Sequence, residues 1–414
     1  MSFLSRLPRP KAINTNVEKL IREYFGGNST TSGISVNSTT AMRQMTVNNC
    51  VRVLYNCVSQ MPCQLMEETE SGITKKALNH SLYNVIGKRP NKWMNRPQFW
   101  GLAIVHICFR GNFYAFKVKV RDEVRELLPI HPDRVMEVKQ NSDWSLTYRI
   151  SSADNWDGKK VGPGREYRDY SQDEIFHIRG MSFDGITGVN PIEYARECIA
   201  IGLSSEQFLG QYFGKGLHPG AVVTHPNSLK NPQDRAAAIN AAYSGLDKSH
   251  GVMILEAGET IAWPAIKLVD AQFLEQMRFT EAQIAGMYGV PLMLINGGDN
   301  PETYASASEF KRFFVDTTVS SIAVNFESTS DMSLLKEEDQ NRYYAKFNLN
   351  SLLRGNPKER SEFYKELINC EVMNPNEARS LEDWNPYFGG EIYKTRTSTT
   401  KQDSGASSGD GGKK

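Results

Sequence analysis

The stretch Asp270–Pro291, DAQFLEQMRFTEAQIAGMYGVP, predicts a single amphipathic helix that ends in a tight turn. Asp270 suits the N-cap position, because its carboxylate can accept hydrogen bonds from free backbone N–H groups. Gly289 and Pro291 favour a stop, since glycine adopts the left-handed conformation at helix ends and proline cannot continue a helix. The apolar residues recur at helical spacing and share one stripe: Phe273, Leu274, Met277, Ile284 and Met287.

Helical spacing and helix-start signals occur elsewhere along the chain. From Thr46 to Met61 the apolar residues recur at i, i+3, i+4 and i+7, and Pro62 ends the pattern. Asn-Pro pairs mark further starts, because asparagine suits the N-cap and proline the first helical position. The asparagines of these pairs are Asn190, Asn231, Asn300, Asn356 and Asn374. We therefore expect helices over residues 191–213, 231–246, 303–326, 356–369 and 374–381.

Strand patterns lie between these helices. Residues 64–67, after Pro62, are expected to be the first strand of a hairpin, and residues 173–179 a short strand. Residues 110–116 and 127–150 combine alternating apolar positions with proline, glycine and asparagine turns, which favours a small antiparallel sheet. Tyr343–Asn348 predicts one more strand. Between residues 217 and 269 the pattern predicts a compact βαββ unit bracketed by two long helices.

The charge balance argues against one class of function. Lys+Arg 48 against Asp+Glu 47 leaves a formal charge of +1. Proteins that grip nucleic acid through its phosphates carry a basic excess or stripe, so tight non-specific DNA binding is disfavoured, whereas DNA sliding past the protein is permitted. The N-terminus has no long apolar segment, and the run Phe99–Phe109 is too short to span a bilayer. We expect a soluble protein of cytoplasmic origin.

The side chains that could perform acid–base chemistry form no recognisable motif. They are Asp270, Glu275, His131 and His177. The sequence contains no phosphate-binding loop, Ser-His-Asp pattern or paired-carboxylate motif to organise them. His177 lies on a predicted strand beside a glycine turn, which favours a structural role. The six cysteines form no C-x-x-C pair, so we expect free thiols, no metal site and no cofactor.

Three motifs resemble the HK97-like family of tailed-phage portal proteins. D-x-Q-F-L-E-x-x-R…I-A-x-x-Y-G-V-P-L-x-L-I begins at Asp270. E-I-x-H-I-R followed by D-G-x-x-G-x-x-P-I begins at Glu174, and R-x-x-x-Y-x-x-L…M-x-x-N-E-A-R-x-x-E begins at Arg360. The resemblance covers about residues 46–395. It departs from many relatives at Thr318–Ser321, where their Thr-Leu-x-Pro segment has a proline, so the usual cause of a helix kink is missing.

The resemblance implies an α+β portal fold with a mixed α/β wing, long stem helices, a small αβ clip insert and a helical C-terminal crown. We expect a flexible arm over residues 1–45, the wing over 46–189 with a return strand in 336–355, and stem helices over 190–216 and 270–291. The clip would occupy 217–269, and a tunnel loop and tunnel helix 292–335. The crown would occupy 356–395, followed by a disordered tail over 396–414.

The family's role implies both a function and partners. We expect a homo-oligomeric ring, commonly of twelve subunits, at one capsid vertex of the virion. Terminase would package double-stranded DNA through this ring, and the DNA would later leave through it. The implied partners are the large terminase, the major capsid protein and the head–tail connector, and no membrane is involved. Two alternatives remain: another ring-forming head–tail connector, although these are usually much shorter, and a soluble enzyme.

Two candidate surfaces accompany this expectation. The loop Asn296-Gly297-Gly298-Asp299-Asn300 is expected to approach DNA, since glycines allow close approach and Asp299 repels phosphate. The alternative for this loop is an ordinary turn between helices. The clip surface that would face terminase or the connector is expected to include Asn231, Asp234, Arg235, Lys248 and His250.

Overall fold

The computed structural model describes residues 30–70, 72–151, 167–215, 222–224, 233–234, 237, 258, 260–262, 271–296, 304–352, 357–382 and 384–393. Helices and strands are mixed along the chain, so the predicted α+β class is confirmed. The chain divides into two compact units, residues 1–352 and residues 353–414.

The first unit contains most of the described helices and all of the described strands. Up to residue 130 its elements are α1 (Ser38–Ala41), α2 (Met45–Gln60), β1 (Cys63–Glu68), β2 (Thr74–Lys76), α3 (Ser81–Gly87), α4 (Arg96–Arg110), β3 (Asn112–Val120) and β4 (Glu123–Ile130). There follow β5 (Val135–Gln140), β6 (Leu146–Ser151), β7 (Tyr167–Ser171), β8 (Ile175–Arg179), α5 (Pro191–Tyr194), α6 (Arg196–Lys215), β9 (Val222–Thr224) and β10 (Thr260–Ala262). The last elements are α7 (Ala271–Met287), α8 (Met293–Asn296), α9 (Tyr304–Phe314), a π-helical segment (Val315–Val319), α10 (Ser320–Leu334) and β11 (Tyr343–Phe347).

The strands form small antiparallel sheets. β1 lies between β11 and β2, with Cys63 opposite Phe347. β3 lies between β4 and β8, and β6 lies between β5 and β7. The prediction of one sheet is therefore wrong, because these strands form two sheets. The turn at Pro132–Arg134 separates β4 from β5, which belongs to the second sheet. The two sheets share a cluster of buried side chains: Tyr114, Ile130, Val138, Tyr148, Ile150, Tyr170 and Ile175.

Trp100 on α4 lies at the centre of the first unit and is fully buried. Its ring contacts Phe347 of β11 at 5.1 Å and Phe326 of α10 at 5.5 Å between centroids. Its indole N–H donates to Ile86 O at 3.1 Å, so its polar atom is satisfied in the core. One side chain thus joins α3, α4, α10 and the edge of a sheet.

The helix predicted from Thr46 to Met61 is confirmed as α2. Its predicted apolar stripe faces the core, and each of these side chains is at most 2% exposed: Val47, Cys50, Val51, Leu54, Val58 and Met61. The predicted hairpin after Pro62 is confirmed as well, since β1 pairs with β2 in antiparallel fashion.

The later part of the arm predicted as flexible, residues 30–44, is folded. The Asn37 side chain accepts a hydrogen bond from Thr40 N–H and the Thr40 hydroxyl accepts one from Asn37 N–H, which is a capping box for α1. Ala41 is fully buried. The Thr31 hydroxyl donates to Glu197 of α6 at 2.7 Å. Capping and burial together hold this segment against the first unit.

The first predicted stem helix is interrupted. The prediction of one helix over residues 191–213 is wrong at Ala195, where φ is −93° and ψ is 13°, outside the α-helical region. The helix therefore divides into α5 and α6, although Asn190 caps it as predicted through Ile192 N–H. The helix predicted after Asp270 is confirmed as α7, and its proposed cap Asp270 lies outside the described residues.

The long helix differs from its prediction in length and in the position of its apolar residues. It runs to Leu334 rather than to Phe326. It contains no proline at Thr318–Ser321, but a π-helical segment lies at Val315–Val319. Phe314 and Phe326 are each 1% exposed, as expected for the apolar side. The prediction is wrong for Phe310 and Phe313, which are exposed: all of residues 309–313 are exposed, and burial begins only at Phe314.

In the second unit the predicted helices are confirmed as α11 (Pro357–Asn369) and α12 (Pro375–Leu381). Asn374 and Glu377 form a reciprocal capping box at the start of α12. The Asn376 side chain accepts from Tyr387 N–H at 3.0 Å and donates to Tyr387 O at 2.9 Å. This amide therefore binds the segment 384–393 to α12.

Candidate functional site

The turn after α7 leads towards the predicted channel loop. Gly289 has a φ of 63°. Its N–H donates to Gly286 O at 3.1 Å, and Val290 N–H donates to Ala285 O at 3.0 Å. A left-handed glycine thus closes the helix as the sequence predicts. Val290 is 3% exposed, so the turn is fixed in the core just before Pro291.

A threonine of the long helix contacts this turn directly. The Thr318 hydroxyl donates to Gly289 O at 2.7 Å. A Cβ added at Gly289 would lie 3.0 Å from the same hydroxyl oxygen, which shows how closely the two elements approach. The neighbouring Thr317 hydroxyl instead donates to Phe313 O of its own helix at 2.7 Å. Of these two threonines, only Thr318 connects the long helix to the turn after α7 through its hydroxyl.

Thr318 belongs to the π-helical segment Val315–Val319. A π-helical turn contains more residues than an α-helical one, so it changes which side chains after it face the core. Phe314, Val315 and Val319 are each at most 1% exposed. The buried side chains therefore hold one face of the π-helical segment in the core, while the Thr318 hydroxyl bonds to the turn after α7.

The end of α9 just before this segment is exposed. Residues 309–313 are all exposed, with Phe310 at 44% and Phe313 at 62%. Arg312 Nε lies 3.7 Å from an Asp316 carboxylate oxygen, and a pair as exposed as this one adds little stability. Exposed phenylalanines beside charged side chains are typical of a surface that is covered in an assembly.

After the π-helical segment, two carboxylates of α10 bind the edge strand β11. Glu327 accepts from Phe347 N–H and Asp331 accepts from Ala345 N–H, each at 2.6 Å. Lys346 Nζ lies 3.1 Å from the second Glu327 oxygen. Burial raises the pKa of Asp331 to about 6. The carboxylates occupy N–H groups that an open strand edge would offer to another strand.

Lys117 connects β3 to the last turn of α10. Its Nζ donates to Ser333 O at 3.0 Å, to Ser333 Oγ at 3.1 Å and to Gln172 O at 3.2 Å. The residue is 5% exposed, and burial lowers the pKa of its ammonium group to about 8. A cation at this place also meets the negative end of the helix dipole.

The second sequence motif forms a close crossing of backbone segments. Asn112 Oδ1 accepts from Gly188 N–H at 2.7 Å and lies 2.9 Å from His177 Nε2. A Cβ at Gly111, whose φ is 71°, would lie 2.0 Å from Val189 O. Burial holds the pKa of His177 well below its ordinary value, so the ring is neutral. His177 is a packed structural group, as predicted.

The other candidate acids and bases lie on different elements. His131 accepts from Asp133 N–H at 3.3 Å and caps the turn after β4. Glu275 is exposed on α7, and Asp270 lies outside the described residues. Within the described ranges, no three His, Cys, Asp or Glu side chains are grouped as a metal site. All six cysteines are free thiols.

A polar cleft of about 680 Å³ opens beside β2 and β4. Some of its charged lining residues are paired: Glu67 with Lys75 at 3.5 Å, and Glu123 with Arg125 at 2.8 Å. Glu67 also pairs with Arg342, which is not part of the lining. Lys76 lines the cleft as well.

The described residues include only part of the two predicted surfaces. Asn296 is predicted to be a loop residue, but it is the last residue of the short helix α8. This helix is held by hydrogen bonds from Leu294 N–H to Pro291 O and from Ile295 N–H to Leu292 O. Gly297–Asn300 lie outside the described residues. Of the clip positions, Asp234 is helical and exposed. The other four clip positions lie outside the described residues: Asn231, Arg235, Lys248 and His250.

Sequence reasoning did not find Thr318, Lys117 or Glu327. For Thr318 a signal existed, because the pair Thr317-Thr318 stands in a helix where relatives have a Thr-Leu-x-Pro segment. Lys117 and Glu327 gave no local signal, since both act through partners far away in the sequence. Among the described helices, none is long and apolar enough to cross a membrane.

Comparison with known proteins gives consistent results. The family model described as phage portal protein matches residues 45–383. The portal protein of Enterobacteria phage HK97 is 25% identical over 367 residues, which are 86% of this chain and 82% of that protein.

Two solved structures show a similar fold. One is the crystal structure of an HK97 family phage portal protein from Corynebacterium diphtheriae, with a TM-score of 0.52 and 14% identity; the match covers 77% of this chain and 96% of that chain. The other is the neck of a native GTA (gene transfer agent) particle computed with C12 symmetry, with a TM-score of 0.53 and 18% identity. That match covers 90% of this chain and all of the other. At these identities the likeness concerns the fold.

Proposed function

Because the chain belongs to the phage portal protein family, it is a structural protein of the virion at a capsid vertex, and we propose that it forms the ring through which double-stranded DNA enters and leaves the capsid. The observation that carries this function is the family match over residues 45–383, nearly the whole described chain. Membership of this family implies a structural role rather than an enzymatic one.

A ring of twelve copies is the assembly that we propose. The similar neck structure was computed with C12 symmetry, which supports this number. Each subunit of a closed ring presents two different faces to its neighbours. The exposed Phe310 and Phe313 are suitable for such a contact, because apolar side chains gain free energy when a neighbouring subunit covers them.

The domains and partners extend this proposal. Residues 46–189 with the return strand would form a wing against the capsid shell, and 217–269 a clip facing the large terminase and later the head–tail connector. Asp234, exposed and helical, is available on the clip. The loop Gly297–Asn300 would face the DNA. A formal charge of +1 supports passage of DNA, since many phosphate contacts would hold DNA in place.

The proposal is tested by the mass of the purified full-length protein in solution and by negative-stain images of its largest species. Rings with a central hole are expected, and counting their subunits tests the number twelve. If the purified chain stays monomeric, the test is repeated with the chain co-expressed with the phage's scaffold and shell proteins. Capsids that assemble with those proteins but incorporate no ring of this chain would overturn the proposed function.

A further inference from the structure

The sheet β11-β1-β2 has one covered edge and one open edge. On β11, carboxylates of α10 accept the N–H groups of Phe347 and Ala345. On the other side β2 is the last strand, and all of its residues, Thr74–Lys76, are exposed. The polar cleft of about 680 Å³ follows this open edge, since its lining includes the consecutive residues 75–79. We propose that the cleft binds an extended, carboxylate-bearing peptide segment of another protein, which adds as a strand beside β2.

The backbone groups of β2 that face away from β1 follow from the register. Ala77 N–H donates to Leu65 O of β1 at 2.9 Å. Neighbouring residues of an antiparallel strand direct their backbone groups to opposite sides, so Lys75 also faces β1, whereas Thr74 and Lys76 face the open side. Within the described part of the chain, no acceptor bonds the N–H groups of Thr74 and Lys76. These two N–H groups are therefore available to an added strand.

The lysines of β2 decide which strand this edge accepts. Short edge strands with lysines are common in proteins that avoid pairing edge to edge. Lys75 is already paired, because its Nζ lies 3.5 Å from a Glu67 oxygen. Lys76 also lines the cleft, and among the described residues no carboxylate forms an ion pair with it. An unpaired lysine repels a basic strand and attracts an acidic one, so it selects a partner.

The charges around the cleft support the same choice. Three carboxylates and three cationic side chains line it: Glu67, Glu123, Asp339, Lys75, Lys76 and Arg125. Arg342 bonds Glu67 from outside the lining and is a fourth cation. His80 lies 3.7 Å from Asp339 and adds positive charge only when it is protonated. One cation is therefore in excess, and a carboxylate of the peptide compensates it.

A bound peptide would contact three kinds of group at this edge. They are the outward N–H groups of Thr74 and Lys76, the ammonium group of Lys76, and the apolar side chain of Leu78, which lines the cleft and is 62% exposed. In strand addition the main-chain hydrogen bonds supply affinity, and the side-chain contacts supply specificity. This inference depends neither on the ring nor on the passage of DNA.

The test measures the binding of short fluorescent peptides to the purified full-length protein by anisotropy. The probe is a hexapeptide in which threonine and valine alternate around one central glutamate, because these residues favour extended backbone. In one control peptide lysine replaces the glutamate, and in the other every peptide nitrogen is methylated. The glutamate peptide should bind, the lysine peptide should bind at least about threefold more weakly, and the methylated peptide should not bind.

Two pairs of protein variants test the two groups of the edge. Thr74→Pro removes an N–H that β1 does not use, and it should weaken binding at least about fivefold, the ratio that corresponds to one net hydrogen bond. Thr74→Val keeps this N–H and should match the unaltered protein. Lys76→Gln should weaken binding about threefold, whereas Lys139→Gln, at an exposed lysine of β5, should not.

Amide hydrogen exchange, measured residue by residue, locates the bound peptide. Adding the glutamate peptide should slow exchange at Thr74 and Lys76 but not at Lys75, which faces β1. No binding of this peptide up to about 1 mM would overturn the proposal, as would equal binding of the lysine or the methylated peptide. Self-association of the chain that Thr74→Pro abolishes, without peptide binding, would also overturn it, because a second copy would then occupy the cleft.

Discussion

Replacing Lys117 by methionine should remove a contribution to stability that grows as the pH rises above 8. Lys117 is 5% exposed, and burial lowers the pKa of its ammonium group from 10.5 to about 8. In the unfolded chain the group titrates near its ordinary value. Between these two pKa values the unfolded state binds more protons than the folded state, so the free energy of unfolding increases with pH.

The magnitude follows from the size of the shift. Each pKa unit corresponds to about 1.4 kcal/mol, so the full shift is worth about 3 kcal/mol, and about 2 kcal/mol of it is reached by pH 9.5. The buried cysteines and Tyr288, whose pKa values burial raises, lower stability over the same range. Because these groups are present in both proteins, their contribution to the free energy of unfolding cancels when Lys117→Met is compared with the unaltered chain.

Urea unfolding at pH 7.0 and at pH 9.5, followed by tryptophan fluorescence, measures this difference. Trp100 is fully buried and reports loss of the core. The free energy of unfolding of the unaltered protein, relative to Lys117→Met, should be about 2 kcal/mol higher at pH 9.5 than at pH 7.0. Lys139→Met removes an exposed lysine of another strand, β5, and should not change the pH profile. Parallel profiles for Lys117→Met and the unaltered protein would refute the reasoning.

Three other substitutions test separate features. Gly111→Ala should destabilise the protein by several kcal/mol in urea unfolding, because its Cβ would lie 2.0 Å from a carbonyl oxygen. Gly185→Ala, at the same φ of 71° but with none of the described atoms within 4 Å of the new Cβ, should cost only about 1 to 2 kcal/mol, and equal losses would contradict the clash. Asp331→Ala should accelerate amide exchange at Ala345 by removing its acceptor, whereas Asp331→Asn keeps an acceptor oxygen and should not; no difference between the two would exclude this bond as the cause of protection. Asp299→Lys should reduce DNA packaging by attracting phosphate, and normal packaging by this variant would remove the loop from consideration.

The features that sequence reasoning predicted correctly depend on neighbours in the chain. The stripe from Val47 to Met61, the cap at Asn374 and the helix end at Gly289 are all set within a few residues by periodicity, capping and backbone freedom. The motif around His177 was identified as structural for a local reason too, since no nucleophile or metal ligand accompanied it.

The features that it missed depend on distant partners. The division of the strands into separate sheets follows from pairings over long separations, which no local pattern contains. Phe310 and Phe313 have the same apolar character as Phe314, but the core meets only the last of them. Thr318 bonds to Gly289, which lies 29 residues earlier in the sequence. Sequence alone could not distinguish this hydroxyl from that of Thr317.

The pairing of β1 with β11 also constrains the order of events during synthesis. Cys63 leaves the ribosome early, but its partner Phe347 follows only after well over half of the chain has been made. At about 5 to 20 residues per second, β1 waits roughly 15 to 60 s for this neighbour. During that time β1 can pair with β2 on one side, but its other side lacks the partner that β11 supplies in the finished fold. Nascent chains that stall before residue 347 therefore present an unpaired strand edge.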